Sequence, residues 1–442
     1  MLLLSLHLAL PVFLASILVG ALADRLLGGP LASLVQGPPR GASGLVTRPI
    51  LLAIVGLSLL LAGLLHPLAA LALVALHAML RRWTRGEGAA PAPIPHADHD
   101  VRGGSRLVTL GAAVLAIALR PDTPIYWDEH VWLAKARLGP LALRAAALDP
   151  DAPIIPRGYP ILGSLAESLF ASLQTDLPAL TAGAAALVGL ALSLVIVLLT
   201  PRGRLAWSVA MLTMPLVWVH LRSAQLDLVV GLLALALLRT LDRARTDRRA
   251  LHASLAIAFV LAGTKDEGLA HVLALAAAHV LTSSEPRARL AEASLVLGGA
   301  LASFATFHVL LALHGVSNDD HNLSLAGLTQ LGAIVLELAR AATDVASFGI
   351  AWPIVLGLGS LAIARRDASA VTLLLQALLL GAGLVAGTEQ LVAFTLDGTV
   401  AARLLVQLAP IACWLVACAI VQSLDRGRPS DEREIDVNAP RL

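Results

Sequence analysis

Tyr126-Trp127-Asp128-Glu129-His130-Val131-Trp132-Leu133-Ala134-Lys135-Ala136-Arg137 is the stretch on which the reading of this chain turns. It lies inside Pro121–Pro160, a polar island between long runs of Ala, Leu, Val and Gly. Two carboxylates and an imidazole stand side by side, flanked by aromatics and followed by two cations. Both tyrosines of the chain, Tyr126 and Tyr159, fall in this island, as does Lys135, one of only two lysines. The stretch reads as the working loop of a protein whose remaining length supports it.

The supporting length is read from composition. Of 442 residues 57% are hydrophobic and only 14% charged, against about 25% charged in soluble domains. That leaves too little polar surface for water, so the solvent is a bilayer. Lipid offers the backbone no hydrogen bonds, so each crossing is a helix or part of a closed barrel. The apolar runs are continuous rather than alternating, which selects helices. They fall at about 2–22, 49–66, 107–120, 178–200, 204–219, 226–241, 250–264, 268–282, 290–313, 344–363, 369–387 and 402–421. The expected fold is therefore all-α: a polytopic transmembrane bundle of roughly 11–13 membrane helices, with short interfacial helices in its outer loops. Segment 158–175, interrupted by Glu167 and Gln174, is expected to be only partly embedded.

Residues 1–80 are expected to hold additional N-terminal membrane helices. Residues 1–23 resemble a secretory signal but lack Lys or Arg ahead of the apolar core, so an uncleaved first helix is preferred. Segment 81–106, rich in Gly and Pro, is expected to be a cytoplasmic linker. Residues 107–424 form the expected catalytic core, with the outer loop 121–160. The charged tail 425–442 is expected to be cytoplasmic and disordered. Cys413 and Cys418 share one apolar run and read as packing residues. A net charge of +2 gives nucleic acid no bulk attraction, and no such partner is expected.

Arginine sets the orientation. Arg81, Arg82, Arg85, Arg102 and Arg106 share one loop, and Arg239, Arg243, Arg245, Arg248 and Arg249 another. Shorter connections carry Arg202 with Arg204, Arg287 with Arg289, Arg365 with Arg366, and Arg426 with Arg428. With all of these on the cytoplasmic side, the other face collects the 121–157 loop, Gln225 with Asp227, the Lys265-Asp266-Glu267 turn, and the 314–343 and 387–403 loops. The orientation rule used only Arg, yet it gathers nearly every candidate for chemistry on one face.

Within that set an acid beside the bilayer can act as general base toward a hydroxyl. Neighbours on a helix point about 100° apart, so of Asp128 and Glu129 one acts and the other supports. Asp128 with His130 is the candidate metal pair, since carboxylate with imidazole suits several divalent ions; a divalent metal ion is the one cofactor left open. Tyr126, Trp127 and Trp132 either belong to the interfacial aromatic belt or stack on a ligand. Lys135 and Arg137 either snorkel or meet a lipid phosphate. Arg157 beside Tyr159 is placed to hold a phosphate ahead of the helix opened by Pro160. Asp227 either caps its helix or joins the site. Lys265, Asp266 and Glu267 interrupt two apolar arms, where each charge at mid-bilayer would cost about 2.5–3.5 kcal/mol. They therefore sit at an outer turn or face a wet cavity, where Lys265 could neutralise a departing phosphate. Asn318-Asp319-Asp320-His321 is a further acidic group. Arg403, opening the last apolar run, is suited to bidentate phosphate binding.

This ordered set resembles the polytopic GT-C glycosyltransferases, among them the protein O-mannosyltransferases and the lipid A aminoarabinose transferase. An acidic residue stands in the first outer loop after a core helix, with aromatics and cations around it. Tyr159-Pro160 opens the next helical stretch, and Asp227, the Lys265-to-Gly268 turn and Arg403 follow in similar order over about 105–421. The resemblance implies a polyprenyl-phosphate-linked sugar donor and transfer to a lipid, glycan or protein acceptor, in contact with membrane lipids. It also implies a multi-pass place in the bacterial inner (plasma) membrane with the active face periplasmic. Asp128 would be the catalytic acid or metal-associated base and Glu129 its partner. Tyr126, Lys135, Arg157, Tyr159, Asp227, Lys265, Glu267 and Arg403 would bind substrate. The chain departs from the family pattern in showing no large soluble outer domain and only a short loop before its last helices, which leaves the acceptor open and argues against a protein-oligosaccharide transferase. No Gly-rich nucleotide loop follows any strand pattern, so a nucleotide sugar is not expected. The alternatives are a transporter or flippase of a lipid-linked or anionic substrate, since short broken helices with charges at their junction suit one, and a non-catalytic assembly subunit.

Overall fold

The computed structural model describes residues 127–138, 160, 162–170, 177–246, 250–313, 324 and 326–426. The expectations for 1–80, 81–106 and 107–120, for Tyr126, Arg157 and Tyr159, for Asn318–His321, and for the tail beyond 426 fall outside the described residues. Every described element is a helix. In chain order they are α1 (Trp127–Leu138), α2 (Leu162–Phe170), α3 (Leu177–Leu198), α4 (Pro201–Leu212), α5 (Pro215–Arg222), α6 (Asp227–Ala244), α7 (Ala250–Thr264) and α8 (Glu267–Leu281). There follow α9 (Pro286–Leu313), α10 (Ala326–Thr329), α11 (Leu331–Thr343), α12 (Val345–Phe348), α13 (Ala351–Ala364), α14 (Ala368–Val385), α15 (Glu389–Leu396) and α16 (Thr399–Arg426).

Among the described residues three helical stretches are long and apolar enough to cross a membrane: Pro286–Val309, Ala368–Val385 and Thr399–Leu424. A fourth is added if Arg202–Leu212 and Pro215–Leu221 make one span across their 95° bend. Outward faces of α4, α9, α11, α13 and α14 leave large apolar side chains uncovered, among them Leu205, Leu301, Leu336, Leu356 and Leu378. So much exposed apolar surface is what a lipid solvent permits and water does not.

The bend corrects the expectation of one continuous segment at 204–219. Pro215 has no N–H to give its helix and forces the residue before it out of the α region. Met214 accordingly takes φ −98° and ψ 106°, ending α4 and restarting the chain as α5. The 344–363 segment also breaks, into α12 and α13. Gly349 stands between them at φ +58°, a conformation that a side chain would disfavour. Of segment 158–175 the described residues include the nine of α2. Elsewhere among the described residues the expected runs and the helices agree closely, as at 250–264, which is α7.

The core is built around α6, which packs on α3, α7, α8 and α16 and buries nearly every side chain along its length. Gly231 lets α16 come close: a Cβ there would stand 2.4 Å from the Gln407 carbonyl oxygen and 3.0 Å from Pro410. Pro410 lies inside α16, and its own carbonyl accepts a 2.9 Å hydrogen bond from the Trp207 indole of α4. Cys413 and Cys418 are both free thiols, with Cys413 in this core.

The helices give the bundle two chemically different ends. At one, the Arg245 guanidinium donates to Thr282 Oγ1 at 2.8 Å and Arg289 donates to the Arg245 carbonyl at 3.4 Å. These contacts join the C-terminal ends of α6 and α8 to the start of α9. At the same end Arg289 and His279 both bond the buried Glu292, at 2.6 and 2.7 Å. Arg239 lies 4.8 Å from the centre of the Trp414 ring, whose far edge sits against Gly203 beside Arg202 and Arg204. The opposite end holds the N-terminus of α6, the α7–α8 turn and the first turns of α16.

Candidate functional site

At that opposite end the Asp227 carboxylate is the centre of a buried network. It occupies the first turn of α6 without capping it; Leu226 holds the cap position and no side chain bonds there. One oxygen, Oδ1, accepts from Lys265 Nζ at 2.7 Å and from Gln407 Nε2 at 2.6 Å. The other, Oδ2, accepts from Arg403 Nε at 3.0 Å. Lys265 Nζ also reaches Glu267 Oε1 at 3.1 Å. The Gln407 amide oxygen faces His271 Nε2 at 3.0 Å, and His308 Nε2 lies 3.7 Å from Asp266 Oδ1. Three separate parts of the chain thus meet: the start of α6, the turn between α7 and α8, and the start of α16.

The sequence dictates this meeting. Residues 265 and 266 interrupt two helices of 15 residues each, so the turn carries its charges to the end of a hairpin. Gly268 makes the hairpin tight: a Cβ there would stand 1.9 Å from the Leu261 carbonyl oxygen. On α16, Arg403 and Gln407 are four residues apart and therefore share a face. Glu267 and His271 on α8 stand in the same relation. Removing two cations and two carboxylates from water is unfavourable unless their charges and hydrogen bonds are satisfied together, and here each carboxylate meets a cation.

Burial within the network is uneven. The side chains of Asp227 and Lys265 are 0% and 3% exposed, whereas Arg403 retains 19% and Glu267 24%. Arg403 and Glu267 thus form the rim and Asp227 with Lys265 the floor. Lys265, expected to meet a phosphate, is turned inward to two carboxylates.

Glu129 belongs to the same end. It is buried on α1 and its Oε2 accepts the Ala224 N–H at 3.1 Å, three residues ahead of Asp227. Of the adjacent pair, Glu129 thus fastens α1 over the start of α6, and Asp128 precedes it on the same helix. Lys135 and Trp132 are buried, with the ammonium 5.2 Å from the Trp132 ring centre. With its ammonium buried, Lys135 does not snorkel. His130 and Arg137 are exposed.

Asp128 and His130, the candidate metal pair, stand two positions apart on α1. Among the described residues no three His, Cys, Asp or Glu side chains come together as a coordination shell requires.

Four polar participants were missed in the sequence. Gln407 and His271 were signalled by their four-residue spacing from Arg403 and Glu267. His220, buried on α5, feels the charges of Asp227, Arg403 and Lys265, and nothing in its apolar surroundings announced it. Glu167 was noted only as an interruption of its segment. It is buried on α2 and its Oε2 has no hydrogen-bond partner. Burial, and then the Glu129 carboxylate, push its carboxyl well above the usual range. An acid raised in this way binds more protons folded than unfolded, so stability falls as pH rises above the unfolded value of about 4.3. Glu167→Gln is therefore expected to raise the melting temperature at pH 8 and to change it little below about pH 4, measured by thermal unfolding in detergent.

Comparison with family models, curated proteins and solved structures returns no match for this chain.

Proposed function

We propose that the chain is a multi-pass glycosyltransferase of the bacterial inner membrane, with its active face periplasmic and a sugar carried on polyprenyl phosphate as donor. The observation that carries this reading is the convergence of Asp227, Lys265, Arg403 and Glu129 at one end of the bundle, with the arginine clusters of 202–204, 239–245 and 289 at the other. Under the positive-inside rule the arginine end is cytoplasmic. A lipid-linked donor keeps its phosphate at the interface, where this acid- and cation-bearing end would lie. The GT-C resemblance, with its larger count of membrane helices, agrees with that placement.

In this mechanism an acceptor hydroxyl attacks the anomeric carbon of the donor. A new C–O bond forms, the bond from the anomeric carbon to the phosphate oxygen breaks, and configuration inverts. Asp128 takes the hydroxyl proton as general base. The polyprenyl phosphate leaves with the bonding electron pair, and Arg403 at the rim stabilises its charge. Lys265 and Gln407 hold Asp227 in place, and Glu129 fixes the helix bearing Asp128. Tyr126, Lys135, Arg157, Tyr159 and Glu267 complete the expected substrate contacts. No step is routed through a metal.

A transporter of a lipid-linked or anionic substrate is the second reading. The buried charges between α7 and α8, each too short for a full span, favour it. Purified protein in lipid, supplied with a panel of polyprenyl-phosphate sugars and hydroxyl acceptors, separates the two. The enzyme releases polyprenyl phosphate and forms a glycosylated product; the transporter moves its lipid across the bilayer unchanged.

A further inference from the structure

We propose that the Asp227 carboxylate is a placeholder for the anionic ligand: it occupies, on Arg403, the position that a phosphate takes when a phosphate-bearing lipid binds. This rests on the reading of Arg403 as the phosphate ligand and adds how that site is kept closed when empty.

The charges make the case. Lys265 and Arg403 contribute two positive charges, and Asp227 and Glu267 two negative ones, with Asp266 of the same turn a third, so the network offers an approaching anion no net attraction. The bonds of Asp227 are not equivalent. Oδ1 is held by both Lys265 and Gln407 on the buried floor, whereas Oδ2 is held by Arg403 Nε at the longer distance of 3.0 Å. Arg403 is also the partner that reaches the surface, at 19% exposure against 3% for Lys265. An arriving phosphate therefore meets Arg403 first. It exchanges for Oδ2 while Oδ1 stays on Lys265 and Gln407. The exchange conserves charge-assisted bonds to the guanidinium, since one oxyanion replaces another. It breaks no covalent bond and needs no further reactant. The empty site does not expose an uncompensated guanidinium, and ligand affinity is reduced by the cost of displacing an internal carboxylate.

Two substitutions weaken the placeholder without touching Arg403. Asp227→Asn removes its charge and keeps its shape, and Gln407→Met removes one of the bonds that fix it while leaving every charge in place. Binding of a sugar-free polyprenyl phosphate is measured for the intact protein in neutral-lipid nanodiscs, with inorganic phosphate as a second probe to separate a lipid phosphate from a free one. The expected result is tighter polyprenyl phosphate binding, by roughly tenfold for Asp227→Asn and about threefold for Gln407→Met. Adding Arg403→Ala to either variant is expected to abolish the gain. Inorganic phosphate is expected to bind more weakly than the lipid throughout. Gln407→Met keeps the test open if Asp227→Asn does not fold. Weaker or unchanged affinity in the folded variants, with wild-type binding intact, overturns the placeholder alone. If wild type and both variants bind no polyprenyl phosphate, the phosphate reading of the site falls, and this inference falls with it.

Discussion

Asp227→Ala is expected to cost about 3–5 kcal/mol, the usual penalty for removing one member of a buried ion pair. The variant is expected to accumulate poorly and to melt well below wild type in detergent. The size of the effect follows from what the substitution leaves behind. Lys265, with a side chain only 3% exposed, keeps Glu267 but loses its closer partner. Arg403 Nε and Gln407 Nε2 lose an acceptor together. Each of the three loses the oxygen it was bonded to, and a buried group left short of its partner costs part of its desolvation penalty. The double variant Asp227→Ala with Lys265→Met also removes the buried cation that lost its closer partner, so it is expected to be more stable than Asp227→Ala alone. If Asp227→Ala melts like wild type, the network is not the junction that joins α6, the α7–α8 turn and α16.

Asp128→Asn is expected to lower glycosyl transfer by about 10²–10⁴-fold, the usual contribution of a general base, while the protein inserts and melts normally. Glu129→Gln is expected to act differently. Its carboxylate fastens α1 to the Ala224 amide, so the neutral amide weakens a charge-assisted bond and loosens the helix bearing Asp128. Its effect should therefore include lower thermal stability, which Asp128→Asn should not show. Equal stability losses in the two variants would contradict this division of labour, and normal transfer by Asp128→Asn would remove it from the mechanism.

Much of this site was legible before any coordinates. Asp227, the Lys265–Glu267 turn and Arg403 were each conspicuous as charges in apolar runs, because burying such charges is expensive enough to demand a reason. What sequence could not show was their pairing. Lys265 read as a phosphate ligand because a cation at an outer turn is visible in one dimension and its two carboxylate partners, 38 and two residues away, are not equally so. Asp227 divided evenly between cap and site, since a carboxylate at a helix start serves either purpose; Leu226 at the cap position and the bonds of Asp227 to Lys265, Arg403 and Gln407 exclude the cap. Gln407 and His271 were recoverable from helical spacing, whereas Glu167 and His220 owe their interest to burial alone. The fold shows the same limit. Hydropathy located α3, α7 and α8 to within a residue or two. It joined α4 to α5 because apolar character continues through Met214 and Pro215 while the backbone turns by 95°.

The central claim is that groups from α1, α6, the α7–α8 turn and α16 form one site that transfers sugar from a lipid phosphate. Its most direct test is product formation by the purified protein from a polyprenyl-phosphate sugar, run beside Asp128→Asn and Arg403→Ala. The account predicts glycosylated product and free polyprenyl phosphate in equal amounts from wild type, and about 10²–10⁴-fold less of both from the two folded variants. No product from any donor in a broad panel, with the same protein moving a lipid phosphate across the bilayer, would contradict it.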